Sequence, residues 1–286
     1  MKRVRLLITL ALMLVAVSVS AQDSYSEALK DYLKITEKQA SEKMLAQLHQ
    51  LNPMLFEYKQ DIDFNQLASR YVDEQLLKIQ AEKVQDMFKE VNVTESDIRQ
   101  MTALMATPQG ETLIEHGDAW SDQFEEILKE EMEEPLKSAF DGTPISSTVV
   151  ANSDIPESYA RKFMQYFEDT RSMDQFANAF SQPLKMMGIE VPESLLEWMK
   201  NNLGTLAMNI AYGIITEDDL DYSANLQNYD FHHKIVDATV KMSENVISMG
   251  MDIILNYIDW MKGQGVSVSK MGEGAIESFK KTIEVE

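Results

Sequence analysis

From Val246 to Met261 the chain is apolar round nearly the whole circumference of a helix, and only Ser248, Asp252, Asn256 and Asp259 mark a narrow polar stripe. A helix of that kind has no solvent face of its own, so other elements must enclose it. The chain is therefore expected to form a bundle with this segment at its centre. Asp252 and Asp259 also make the segment a poor membrane span. The rest of the chain can supply the covering helices. Glycine and proline are scarce, at 11 and 7 residues, and long stretches hold Ala, Leu, Glu, Lys, Gln and Met. Beyond Ala21 only a short Val-Ser-Val at 266–268 alternates with the period of a strand. The expected fold class is all-α.

The first residues read as an export signal. Lys2, Arg3 and Arg5 precede an apolar run that closes on Val19, Ser20 and Ala21, which predicts a cleaved secretory signal peptide over 1–21. The chain is therefore expected to be exported. With 0 cysteines, disulfides, thiolate nucleophiles and a lipidated cysteine are all excluded. Cleavage after Ala21 removes three basic residues and takes the formal charge from −21 to about −24. So acidic a chain repels phosphate backbones and anionic lipid, which leaves cations, basic partners or apolar ligands.

Apolar positions recur at helical spacing from Ser24 to Leu51, and Asn52-Pro53 is expected to end that helix. A second long helix follows Asp63 as its cap. Asp61, Asp63 and Asn65 alternate like calcium ligands, but Gln66 and Val72 stand where such a loop needs glycine and a bidentate carboxylate. The cap is the better account. Thr94 and Asp97 form a capping box with Asp in the usual Glu position, and a break follows at Thr107-Pro108. Gly110 is expected where a neighbouring helix approaches closely. The next helix should run through Met132 to Leu136, with Glu125–Lys129 and Glu133–Lys137 as exposed pairs.

Small polar residues over 141–156 form the clearest compositional break, which predicts an N-terminal module at 22–145 and a C-terminal one at 146–286. In the second, one helix is expected from Tyr159 to about Phe180 and another from Leu195 to Ile215, after which Thr216 and Asp219 repeat the capping pattern. "GQGVSV" and "GEGAIE" lack the third glycine and preceding strand of a dinucleotide loop, and both read as turns.

Laying 94–116 on 216–238 pairs Thr94, Glu95, Asp97 and Leu104 with identical residues, and Ile98, Leu113, Ile114 and Glu115 with similar ones. An internal repeat of two antiparallel multi-helix modules is the economical explanation. Asp230 and His232 stand opposite Pro108 and Gly110, so the segment reads as scaffold and not as a catalytic motif. "TESDIRQMTALMATPQGETL" resembles the recognisable segment of an exported bacterial family catalogued as domain of unknown function family twenty fifty-nine. Thr107, Pro108 and Gly110 match its Ser/Thr-Pro-x-Gly corner, whereas Leu104 and Met105 replace its aromatic pair. The resemblance implies an all-helical protein of a Gram-negative bacterium, so that the expected compartment of the exported chain is the periplasm, and it implies no established activity.

Histidines cluster only in "DFHHKIVD". Asp230, His233 and Asp237 share a helix face, an arrangement that could begin a zinc site, yet a third ligand and a His-Glu-x-x-His motif are both lacking. Pairing of surface histidine with aspartate is simpler. No Gly-x-Ser-x-Gly nucleophile motif occurs, so no catalytic, cofactor or metal residue is assigned. Met242, Met249, Met251 and Met261, among 19 methionines, fit either core packing or an adaptable apolar groove. The expected function is a non-enzymatic binding or interaction module for an envelope protein or an apolar ligand. The alternative is a metal-assisted hydrolase built on His232, His233 and neighbouring carboxylates.

Overall fold

The computed structural model describes residues 24–36, 38–57, 61–186 and 188–283. The expected signal peptide at 1–21 lies outside them. The described residues form an all-α fold with two isolated bridges and no strand. None of their helices is long and apolar enough to cross a membrane.

Two compact units divide the chain, one comprising the described residues up to Thr102 together with those from Asp237 on, the other Ala103–Val236. These are not the sequential halves expected at 22–145 and 146–286. The segment 141–156 lies inside the second unit.

The first unit begins with α1 (Ser24–Thr36) and α2 (Lys38–Leu55). Pro53 does not stop α2, because it falls in the last turn and only one backbone bond is lost there. Asn52, 4% exposed, anchors that turn by accepting a hydrogen bond from the Tyr257 hydroxyl at 2.6 Å. Asp63 then caps α3 (Phe64–Tyr71) as expected, accepting from the Asn65 and Gln66 amides at 3.1 and 3.0 Å. A wide π-helical turn at Val72–Leu76 separates α3 from α4 (Leu77–Glu90) and lets Tyr71, Val72 and Leu76 all be buried.

Next comes α5 (Glu95–Met105), whose Thr94–Asp97 capping box forms with both reciprocal bonds. After the second unit, α12 (Asp230–Glu244) returns the chain to α13 (Val246–Gly263) and α14 (Lys270–Ile283). As its sequence demands, α13 buries Val246, Ile247, Met249, Met251, Ile253, Ile254, Tyr257, Ile258 and Met261. Its polar stripe is occupied: Asp252 pairs with Lys83, and Asn256 Oδ1 lies 3.4 Å from the Tyr71 hydroxyl, which donates to the Ile253 carbonyl at 3.0 Å. "GEGAIE" is helical within α14 and not the expected turn. Gly272 is there because a Cβ would stand 2.3 Å from the Leu55 carbonyl oxygen, a distance that excludes any side chain.

The second unit contains α6 (Pro108–Glu131), α7 (Glu133–Asp141), α8 (Glu157–Asp169), α9 (Ser172–Met186), α10 (Glu193–Ala211) and α11 (Glu217–Leu226). The long helix expected through Leu136 breaks at Met132, because Pro135 has no N–H for the Glu131 carbonyl. The helix expected from Tyr159 to Phe180 breaks at Arg171, which takes a left-handed φ of 51°. Tyr159, Phe163, Phe167, Ala207, Met208, Ala211, Ile215 and Leu220 form its core, with Trp120 and Phe124 packed against them.

The segment 143–152 crosses α10 as a strap held by side chains. Asn202 accepts from the Val149 amide at 2.8 Å, Asn209 accepts from the Asn152 amide at 2.9 Å, and Trp198 donates its indole N–H to the Ser147 carbonyl at 2.8 Å. Composition alone made the segment look like a linker, but these three residues supply the bonds that a helix would otherwise provide. Asn202→Ala is expected to lower stability by about 1–2 kcal/mol and to free the strap. Elastase, which cuts after small aliphatic residues, should then cleave at Val149–Ala151 much faster than in the parent protein. Equal cleavage rates would show that Asn202 does not hold the strap.

Candidate functional site

In the first unit, the last turns of α2, which overruns Pro53, and the residues from Ile62 into α3 border an open cavity of about 480 Å³. Its lining is His49, Asn52, Pro53, Phe56, Ile62, Asp63, Phe64 and Asn65. The volume falls in the range of small-molecule sites, and the mixture of apolar wall with a few polar groups is what such sites use.

The wall is ordered by aromatic packing. Phe56 stacks on Phe64 with ring centroids 6.1 Å apart and meets Tyr257 edge-on at 5.8 Å. Tyr257 packs on Tyr71 at 4.9 Å, and Tyr71 on Trp260 at 5.7 Å. Burial pushes the Tyr71 hydroxyl well above the usual phenol range, and the neighbouring Tyr257 adds to the shift. The Tyr257 hydroxyl is raised too, by burial first and against the opposing pull of its bond to Asn52. Both hydroxyls are therefore proton donors at every physiological pH.

That fact orients Asn52. Its Oδ1 accepts from Tyr257, so its Nδ2 is left with the Phe64 carbonyl at a long 3.4 Å. The amide is a held donor with capacity to spare. His49 Nε2 is buried with no hydrogen-bond partner among the described residues.

The residues singled out by sequence lie elsewhere and do not converge. His232 is 4% exposed, and its Nδ1 is buried without a partner among the described residues. His233 points its Nε2 at the Gln227 carbonyl, 2.9 Å away, and the two imidazoles stand nearly perpendicular with centroids 5.9 Å apart. Among the described residues no group of three or more histidine and carboxylate side chains could hold a metal ion. Met242, Met249, Met251 and Met261 are all buried. They pack the core.

The two Thr–Asp segments form the same local geometry. Asp97 Oδ2 accepts from the Thr94 amide at 2.8 Å, and Asp219 Oδ2 accepts from the Thr216 amide at 2.7 Å. What sequence reasoning missed is His116 on α6, whose Nδ1 lies 2.7 Å from Asp219 Oδ2. With a carboxylate as acceptor, Nδ1 carries the proton. Burial pushes the Asp219 carboxyl up, but the Thr216 hydroxyl, His116 and the Thr216 amide outweigh it and hold the group below its usual range. The corner at Thr107 is tied to the same helix α11: the Tyr222 hydroxyl donates to the Leu104 carbonyl at 2.7 Å. Within this unit α6 and α11 thus fasten each other's ends. The His116–Asp219 pair ties the interior of α6 to the start of α11.

Gly110 meets the expectation of a close approach, and the approaching backbone is the last turn of α5. A Cβ there would lie 2.4 Å from the Leu104 carbonyl oxygen and 2.6 Å from the Met105 Cα.

No family model, curated protein or solved structure matches the chain.

Proposed function

We propose that this chain is an exported helical protein of a bacterial envelope that binds a small ligand with an apolar body in the cavity between α2 and α3, without acting on it chemically. The single observation carrying this reading is the cavity itself, where Pro53, Phe56, Ile62 and Phe64 surround space of about 480 Å³ beside the underused donor of Asn52. Apolar wall supplies affinity, and one oriented amide supplies selectivity. Export is proposed from Lys2, Arg3, Arg5 and the apolar run closing on Ala21, and the periplasm as its destination from the resemblance to a Gram-negative family. Membership of the exported family twenty fifty-nine is proposed from the Thr107-Pro108-x-Gly110 corner, and the paired Thr–Asp helix starts are proposed as traces of a duplication. The metal-assisted hydrolase has no observation in its favour, since His232 and His233 face different surroundings.

A neutral naphthalene dye whose emission rises in apolar surroundings tests the reading. The parent protein should bind it saturably. The double variant Ile62→Trp/Asn65→Trp, which fills the mouth of the cavity and uses no side chain with a structural bond, should bind at least tenfold more weakly at an unchanged melting temperature. Equal binding by both proteins would remove the cavity from the account.

A further inference from the structure

We infer that the occupant of this cavity is an organic cation, a molecule with an apolar or aromatic body and an amine or quaternary ammonium head, seated with its charge at Asp63. The inference rests on the binding reading above and sharpens it to a ligand class.

Charge is the first argument. The described lining holds one carboxylate, Asp63, and no lysine or arginine. An anionic head would have to bind at the α3 N-terminus, the usual place for one. That place is taken: the Asn65 and Gln66 amides already donate to Asp63 Oδ1 at 3.1 and 3.0 Å. Both bonds use the same oxygen, so among the described residues Asp63 Oδ2 has no partner. A cationic head finds an acceptor in the Asp63 carboxylate, whereas an anionic head would be repelled by it, with the neutral amide of Asn52 as the donor left to it.

The wall makes the same choice. Phe56 and Phe64 stack side by side, and ring faces attract a cation through their quadrupole while also burying its hydrocarbon. The chain as a whole, at a formal −21, raises the local concentration of cations and depletes anions.

Asp63→Asn separates the two roles of this residue, because asparagine caps helices as well as aspartate does. The experiment titrates the full-length protein at physiological salt with three probes of equal chain length: decyltrimethylammonium, decyl sulfate and neutral decyl maltoside, all below their micellar concentrations. The parent protein should bind the cation at least fivefold more tightly than the neutral probe and the anion most weakly. Asp63→Asn should bring the cation-to-neutral ratio below twofold with the melting temperature unchanged, whereas Glu277→Gln, which removes an exposed charge of α14, should leave the ratio intact. Equal affinity for all three probes, or a ratio that Asp63→Asn does not alter, overturns the cation assignment while leaving the cavity as a binding site. Failure of all three to bind overturns both.

Discussion

Gly110→Ala is expected to destabilise the protein by about 2–3 kcal/mol, although alanine is the better helix former at almost any other position. The reason is steric and local. The new methyl group would stand 2.4 to 2.6 Å from backbone atoms of Leu104 and Met105, and backbone at the end of a helix cannot retreat as a flexible side chain would. The same turn carries three functions at once: Thr107 caps α6 by accepting from the Gly110 amide at 3.1 Å, its hydroxyl donates to the Leu104 carbonyl at 2.7 Å, and Tyr222 reaches that carbonyl too. Moving α6 away from α5 loosens all of them. Gly117 lies in the same helix, and a methyl group added there would meet nothing within 4 Å, so Gly117→Ala should instead gain roughly 0.5–1 kcal/mol. Thermal melting of both variants checks the contrast. Opposite signs are expected, and two changes of the same sign would show that the α5–α6 contact is not tight.

Acid should weaken the protein through His232. Burial, and next the neighbouring His233, hold this imidazole down to about 4 against an opposing pull from Asp169. The unfolded chain binds its proton near 6.5, so between those values the unfolded state carries more protons than the folded one. Its contribution is fully present above about pH 6.5 and is lost as pH falls toward 4, amounting to about 3 kcal/mol. The orphaned Nδ1 gives the shift a structural basis, since the charged ring would need an acceptor there and has none among the described residues. His232→Phe removes the titration. Urea unfolding at pH 7 and pH 4 should show the parent losing about 3 kcal/mol more than the variant over that interval. Equal losses would mean that His232 is not held neutral.

Local signals were legible in the sequence, and signals made by packing were not. The caps at Asp63, Thr94, Thr107 and Thr216 all formed, because a cap depends on residues within one turn of it. The central position of α13 followed from its apolar circumference. Helix ends were harder: Pro135 broke a helix where its missing N–H fell mid-helix, while Pro53 did not end one because a buried Asn52 held the last turn. The strap at 143–152 looked like a boundary, since its composition says nothing of Trp198, Asn202 and Asn209 waiting some fifty residues on. His116 gave no signal at all, because its partner Asp219 lies 103 positions away. The cavity was invisible for the same reason. Its lining brings residues 49–56 beside 62–65, an approach that no periodicity specifies, and Tyr257 fixes Asn52 there across 205 positions.

Native mass spectrometry of the protein, purified without detergent from the cells that make it, tests the binding account most directly when set beside the Ile62→Trp/Asn65→Trp variant prepared in the same way. The account predicts a noncovalent small-molecule adduct on the parent, released on mild activation and absent from the filled variant. An adduct of the same mass and occupancy on both proteins, or a bare parent that also takes up none of the three decyl probes, would contradict it.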